Sequence, residues 1–393
     1  MGYQAVSSAQ TSFEFATAGR IVFGPGRAME LDTLIPSACS RALVCTGSRP
    51  EQHQKLIERL GLPATVVTVS AEPTVDVARA ATEAAVAHEA DVVIGIGGGS
   101  VIDVGKAVAM LLGNGGDPLD YLEVVGAGKP ITRPSVPYVA VPTTAGTGAE
   151  VTENAVLASP AHRRKASLRS RFMLPTVAVV DPLLTISCPP AVTASSGLDA
   201  LTQCLEPLVS TQATPMTDGL AREGLRRAAA GLRVAYRDGS DVEARTEMAL
   251  CSLLGGLALA NGRLGAVHGL AAVIGGMVDA AHGAICAALV GSVVEVNLQA
   301  LRQREPANPA LDRYDEAGRI LTGRPDATVE DGVDWIRETV AMLDVPDLAA
   351  LGVSSDDADE IVTKARTASS TKYNPIALTD SELHLIVEAS MQR

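Results

Sequence analysis

Asp199 and Gln203 stand four residues apart in SSGLDALTQCLEPLVS, a spacing that puts both side chains on one face of a helix. Farther along, GAVHGLAAVIGGMVDAAHGAIC carries His268 and His282, each followed by glycine. Carboxylate and imidazole ligands suit Zn2+ or Fe2+, and three protein ligands leave positions open for water or a substrate oxygen. The competing reading is two core histidines bonded to backbone and an aspartate on a helix surface. Against it, the chain has only 6 histidines, and two share one apolar, glycine-punctuated stretch where a neutral filler would pack more simply. His53 and His88 sit in polar helical surfaces, His162 in the basic loop AHRRK and His384 near the C-terminus, all positions that suit solvated rings. The 6 cysteines, with no C-x-x-C pair, read as small buried hydrophobes in a reducing compartment, which places the protein in the cytoplasm.

A second kind of chemistry is written in glycine. In DVVIGIGGGSVIDVGKA a buried strand runs into Gly97, Gly98, Gly99 and Ser100 and then a helix, the arrangement that frees backbone N–H groups for a pyrophosphate. It is neither G-x-G-x-x-G nor a Walker A sequence, and alone it fits a tight strand-to-helix turn better than a phosphate site. VAVPTTAGTGAE places Thr143, Thr144 and Thr147 after another strand, adding hydroxyls and bare backbone donors. Two such loops at strand ends of one sheet point to a dinucleotide.

The elements that must position these residues fall into two halves. Arg41–Cys45, Ala64–Val69, Asp91–Ile96, Val136–Val141 and Thr176–Val180 read as strands. Helical patterns at Gln54–Leu60, Val75–His88 and Val101–Leu112 separate them, which implies a parallel sheet covered on both faces. Beyond Asp181-Pro182 and Pro189-Pro190 the chain is Ala/Leu/Glu/Arg-rich with helical periodicity, so the expected division is 1–185, an α/β dinucleotide-binding domain, and 186–393, an all-helical metal and substrate domain. The apolar run Ala271–Val294 contains Asp279, His282 and three glycines, which suits a buried helix carrying polar groups better than a membrane span. With 393 residues, 47% hydrophobic and 20% charged, the chain reads as folded rather than disordered; a net charge of −13 argues against nucleic acid or an anionic membrane as partner. An N-terminal strand at Glu14–Ala18 is a candidate for pairing across a two-fold axis, so a homodimer is expected.

Taken in order, GGGSVIDVGKA, PTTAGTGAE, Asp181-Pro182, GLDALTQCLEP, VHG and AHG resemble the iron-containing (group III) alcohol dehydrogenase family of the dehydroquinate synthase-like superfamily. The similarity runs from GRIVFGPG at Gly19–Gly26 to the NPIALTDSEL segment. The resemblance implies a Rossmann-like N-terminal domain, a helical C-terminal domain and an interdomain cleft in which a nicotinamide, NAD(P)(H), approaches a divalent metal. On the family pattern Asp199, His268 and His282 match catalytic metal ligands. Gly97, Gly98, Gly99, Ser100, Thr143, Thr144 and Thr147 match cofactor contacts, and Asp103 and Lys165 match positions near the cofactor. The implied reaction is hydride transfer between the nicotinamide and a small alcohol/aldehyde pair, anionic members included.

Three positions depart from the pattern. Gln203 replaces a usual histidine ligand; an Asp-x-x-x-Gln branch implies that the metal persists with altered affinity. Ala272 replaces a second histidine often given a proton-relay role. Gly47 replaces an aspartate that NAD-preferring members direct at the ribose; with Ser48 and Arg49 beside it, the implied outcome is that NADPH serves at least as well as NADH. The alternative function is a maleylacetate reductase-like, metal-independent reductase, whose members carry a neutral residue in place of Asp199. Arg169, Arg171 and Arg263 are candidates, with the 162–165 run, for a substrate-anion clamp.

Overall fold

The computed structural model describes residues 12–70, 72–162 and 164–392. They form two compact units: residues 16–188 with 239–249, and residues 189–238 with 250–392 and the described residues before Ala16. Compared with a single break at 185/186, the units place residues 186–188 and 239–249 with the first and the described residues before Ala16 with the second. Residues 239–249 belong with the first unit, where Arg245 Nε donates to the Gly239 carbonyl (2.9 Å) and Nη2 to that of Cys188 (3.4 Å).

The first unit is built on eight strands: β1 (Ile21–Phe23), β2 (Ala42–Thr46), β3 (Ala64–Thr68), β4 (Val92–Gly97), β5 (Tyr138–Pro142), β6 (Asn154–Ser159), β7 (Arg164–Arg169) and β8 (Val177–Val180). Six of them make an all-parallel sheet in the order β1-β8-β5-β4-β2-β3. Because side chains alternate along a strand, β4 sends Ile94 and Ile96 to one core and Val93 to the other. Helices Val75–Ala87 and Gly99–Asn114 pack on the Val93 face; Leu31, Leu34, Leu56 and Leu60 cover the opposite one. Asp181 ties the sheet's β1 edge, its carboxylate accepting from the amides of Gly26, Ala28 and Leu183, each at 3.0 Å.

Two expectations fail here. β6 and β7 form an antiparallel hairpin outside the parallel sheet, so Lys165 lies in a strand rather than a basic loop. Residues 14–18 carry no strand; the edge belongs to β1, which hydrogen-bonds to β8.

The second unit is helical. Its helices start on designed ends: Pro190 and Pro215 occupy first turns, and Thr214, Thr328 and Thr379 each close a capping box. The run Ala271–Val294 is not one helix but two, Ala266–Ile274 and His282–Arg304, broken around Gly275 and Gly276, residues with poor helix propensity. His282–Arg304 is apolar and long enough to cross a bilayer, yet 83% of its apolar window is buried in the fold. Its apolarity serves the core.

Candidate metal centre and cofactor loops

Asp199, Gln203 and Glu206 line one face of the Pro190–Val209 helix, and all three are buried. Against that face lies the first turn of His282–Arg304. Its approach requires Gly283: a Cβ there would meet the Ser195 carbonyl oxygen at 2.4 Å and Asp199 Cβ at 3.2 Å. The Ala266–Ile274 helix is held at its start by Asn374, whose Oδ1 accepts from the Ala266 amide (3.2 Å) while its Nδ2 donates to Asn297 Oδ1 (2.7 Å) and the Ile376 carbonyl (2.9 Å).

These elements bring Asp199, His268, His282 and Cys286 together, with one ligand atom from each inside a 4.8 Å span, the one such cluster among the described residues. His268 Nε2 lies 3.4 Å from Asp199 Oδ1, too long for a good hydrogen bond. Cys286 Sγ lies 3.6 Å from His282 Nε2. Nitrogen and oxygen ligands on one tetrahedral cation sit about 3.3 Å apart, and a thiolate and an imidazole about 3.6 Å. Both separations match those of ligands that share an ion.

The hydrogen-bond pattern agrees. Asp199 Oδ1, Gln203 Oε1 and His268 Nε2 are buried and have no hydrogen-bond partner, an expensive state for three polar atoms unless a ligand answers them. The remaining atoms are all engaged. His268 Nδ1 is 2.7 Å from Glu206 Oε2, an acceptor-only carboxylate that takes the Nδ1 proton's hydrogen bond and leaves Nε2 as the ring atom free for a ligand. Glu206 Oε1 accepts from the Val267 amide (2.7 Å), and Gln203 Nε2 donates to Asp199 Oδ2 (2.8 Å). Electrostatics favours positive charge here. Burial alone would raise the Asp199 carboxyl, but His268 and His282 outweigh it and hold it below its ordinary value. Burial opposes a proton on His268, yet Cys286, Glu206 and Asp199 push the ring well above its usual range; Cys286 is the largest influence raising His282. A field that retains protons on rings also favours a cation competing for the same lone pairs.

Asp199, Gln203, His268 and His282 are thus gathered as a group. Glu206 and Cys286 join them without having been singled out in the sequence. Both had a signal: Glu206 is seven residues after Asp199 on the same helical face, and Cys286 is four after His282.

The glycine loops meet at the carboxyl ends of adjacent parallel strands. β2, β4 and β5 are neighbours, and the register pairs Thr46 with Ile96 and Gly97 with Pro142, so their exits align. The Thr143 amide donates to the Gly97 carbonyl (2.9 Å). A Cβ on Gly99 would lie 2.7 Å from Thr147 Cγ2, and one on Gly98 3.4 Å from Thr144, so the two loops touch. Gly98 begins the Gly99–Asn114 helix, and among the described residues no side chain caps that start. Its first-turn amides suit an anion. Gly98, Gly99, Ser100, Thr143, Thr144 and Thr147 are each half-buried; Gly47 and Ser48 follow β2 directly, beside β4. A Cβ at Gly47 would meet nothing within 4 Å.

The other selected residues are occupied differently. Asp103 Oδ2 accepts from the Val156 amide (3.0 Å) and Oδ1 lies 3.5 Å from the Lys106 ammonium, joining helix to hairpin. Lys165 pairs with Glu72 at 2.7 Å, and Arg169 lies 3.6 Å from Glu123. Arg171 lies over the Phe172 ring, and Arg263 adopts a left-handed φ of 68°. Ala272 and Asp279 are exposed.

Comparison with known proteins gives a consistent picture. The family described as iron-containing alcohol dehydrogenase matches residues 18–182, and its C-terminal domain matches 193–391. Alcohol dehydrogenase 4 of Saccharomyces cerevisiae (strain YJM789) is 32% identical over 342 residues, 86% of each protein. Among solved structures, the alcohol dehydrogenase from Oenococcus oeni superposes with a TM-score of 0.88 at 27% identity, covering 96% of this chain and 100% of that one. The sulfoacetaldehyde reductase from Bifidobacterium kashiwanohense, solved in complex with NAD+, gives 0.85 at 27% identity over 97% and 99% of the two chains.

Proposed function

This chain belongs to the iron-containing alcohol dehydrogenase family, and on that premise we propose a metal-dependent NAD(P)(H) oxidoreductase acting on a small alcohol/aldehyde pair. When bound, the cation would supply Lewis-acid polarisation of a carbonyl oxygen and the nicotinamide would supply or accept the hydride. Asp199, His268 and His282 would hold the cation, Fe2+ or Zn2+. Glu206 fixes the tautomer of His268, so that Nε2 faces the cluster as a lone pair. Gln203 holds one Asp199 oxygen and leaves the other directed at the same point. The glycine and threonine loops at β4 and β5 would cradle the dinucleotide phosphates with backbone amides and hydroxyls. Gly47, Ser48 and Arg49 place no carboxylate where a 2′-phosphate would sit, which supports use of NADPH at least as readily as NADH.

One observation carries the metal-dependent reading: three unpartnered buried atoms, on Asp199, Gln203 and His268, in or beside one donor cluster. An acid at position 199 with a free oxygen also disfavours the metal-independent alternative. The test is elemental analysis of the purified protein together with reduction of a neutral and an anionic short aldehyde by NADH and NADPH, before and after chelation. The expected result is one divalent cation per chain, with activity lost on its removal and restored by its return. Full activity in metal-free protein would overturn the proposal.

A further inference from the structure

We propose that Cys286 is itself a ligand of the cation, as its thiolate, and that Gln203 is a positioning residue that holds Asp199. The proposal rests on the metal-dependent reading above and concerns which atoms complete the ion's shell. Cys286 lies one helical turn after His282 with its side chain fully buried. Other thiols in the chain turn to backbone carbonyls, Cys188 to Thr143 at 3.1 Å and Cys204 to Cys251 at 3.7 Å. Cys286 instead faces His282 Nε2 at 3.6 Å, about the separation that a shared tetrahedral zinc imposes on sulfur and nitrogen ligands.

Charge decides between the two candidates. A divalent cation bonded to one carboxylate and neutral donors keeps a net positive charge within its own shell, the Glu206 carboxylate standing behind His268, whereas one carboxylate and one thiolate neutralise it in direct contact. Gln203 supplies no charge: its amide NH2 donates to Asp199 Oδ2, and its Oε1, buried and unpartnered, would add only a neutral donor. Binding releases the Cys286 proton to solvent, as thiol ligation requires. A sulfur ligand beside two imidazoles also biases the site toward Zn2+ over harder cations.

The test is X-ray absorption at the metal edge of the purified metalloprotein, with the optical spectrum of its Co2+-substituted form as a second measure. The expected results are a sulfur scatterer at about 2.3 Å and a thiolate-to-cobalt charge-transfer band in the near ultraviolet. Cys286→Ser should abolish both signals and weaken metal binding by at least roughly tenfold. Gln203→Ala should keep both. A metal-loaded wild-type protein with only nitrogen and oxygen neighbours overturns the proposal even if Cys286→Ser does not fold, as does a sulfur signal that survives Cys286→Ser or disappears in Gln203→Ala. A protein that takes up no cation under any loading condition refutes the metal-dependent reading itself, a result distinct from nitrogen and oxygen coordination.

Discussion

Glu206 reaches the donor cluster only through His268, yet both its oxygens are committed, one to the imidazole Nδ1 and one to the Val267 amide, each at 2.7 Å. A glutamine has a single acceptor oxygen, so Glu206→Gln leaves one buried donor unanswered and loosens the ring. Metal affinity is expected to fall roughly 10- to 100-fold, read by competition with a chromophoric chelator; unchanged affinity would show that the ring is held by other means. At the end of β2 the opposite operation is possible, because Gly47 has open space where a side chain would go. Gly47→Asp is expected to lower the ratio of kcat/KM for NADPH to that for NADH by about tenfold or more, through repulsion of the 2′-phosphate and a new acceptor for the ribose hydroxyl. Steady-state kinetics with both cofactors checks it. Asp199, His268 and His282 are legible in the sequence because charged and imidazole side chains interrupt apolar helices. Glu206 and Cys286 are not, since glutamate is an ordinary helix residue and a free cysteine usually just fills space.

Between elements, what matters is how closely helices approach. On His282–Arg304, a methyl group at position 283 would strike the backbone oxygen of Ser195, while one at 291 would find only the Arg337 side chain at 3.6 Å. Gly283→Ala is therefore expected to cost about 1–3 kcal/mol and to weaken metal binding. Gly291→Ala on the same helix should be neutral or stabilising by about 0.5–1 kcal/mol. Thermal melts by circular dichroism, run with chelator competition, compare the pair; equal effects would sink the close-approach account. β2, β4 and β5 are legible as continuous, mostly apolar runs because a parallel strand is buried on both faces. The β6–β7 hairpin is hidden by its alternating burial and by a basic turn that reads as loop. The break between Ile274 and His282 is equally hidden, since hydropathy stays high across it and only the paired glycines betray it.

At the scale of the whole molecule, Glu150 links stability to pH. Its carboxyl lies in the core of the first unit, where burial pushes it up to about 7 from 4.5, the Lys106 ammonium only partly offsetting the effect. Folding thus binds a proton more tightly than the unfolded chain does. The contribution is fully present below the unfolded value near 4.5, is lost as pH rises through 7, and is flat above. Its size is about 3 kcal/mol. Glu150→Gln should remove this slope, raising the melting temperature at pH 8 relative to wild type by more than it does at pH 5; parallel melting curves at the two pH values would contradict it. The chain's route between its units has a further consequence. Residues 239–249 leave the helical half in sequence but complete the sheet-bearing half, supplying the guanidinium that answers the Cys188 carbonyl. Neither half is a cassette. A polypeptide ending at Cys188 lacks that strip, and exchanging the sheet-bearing portion with a relative's takes cuts at 15/16, 188/189, 238/239 and 249/250 rather than one splice.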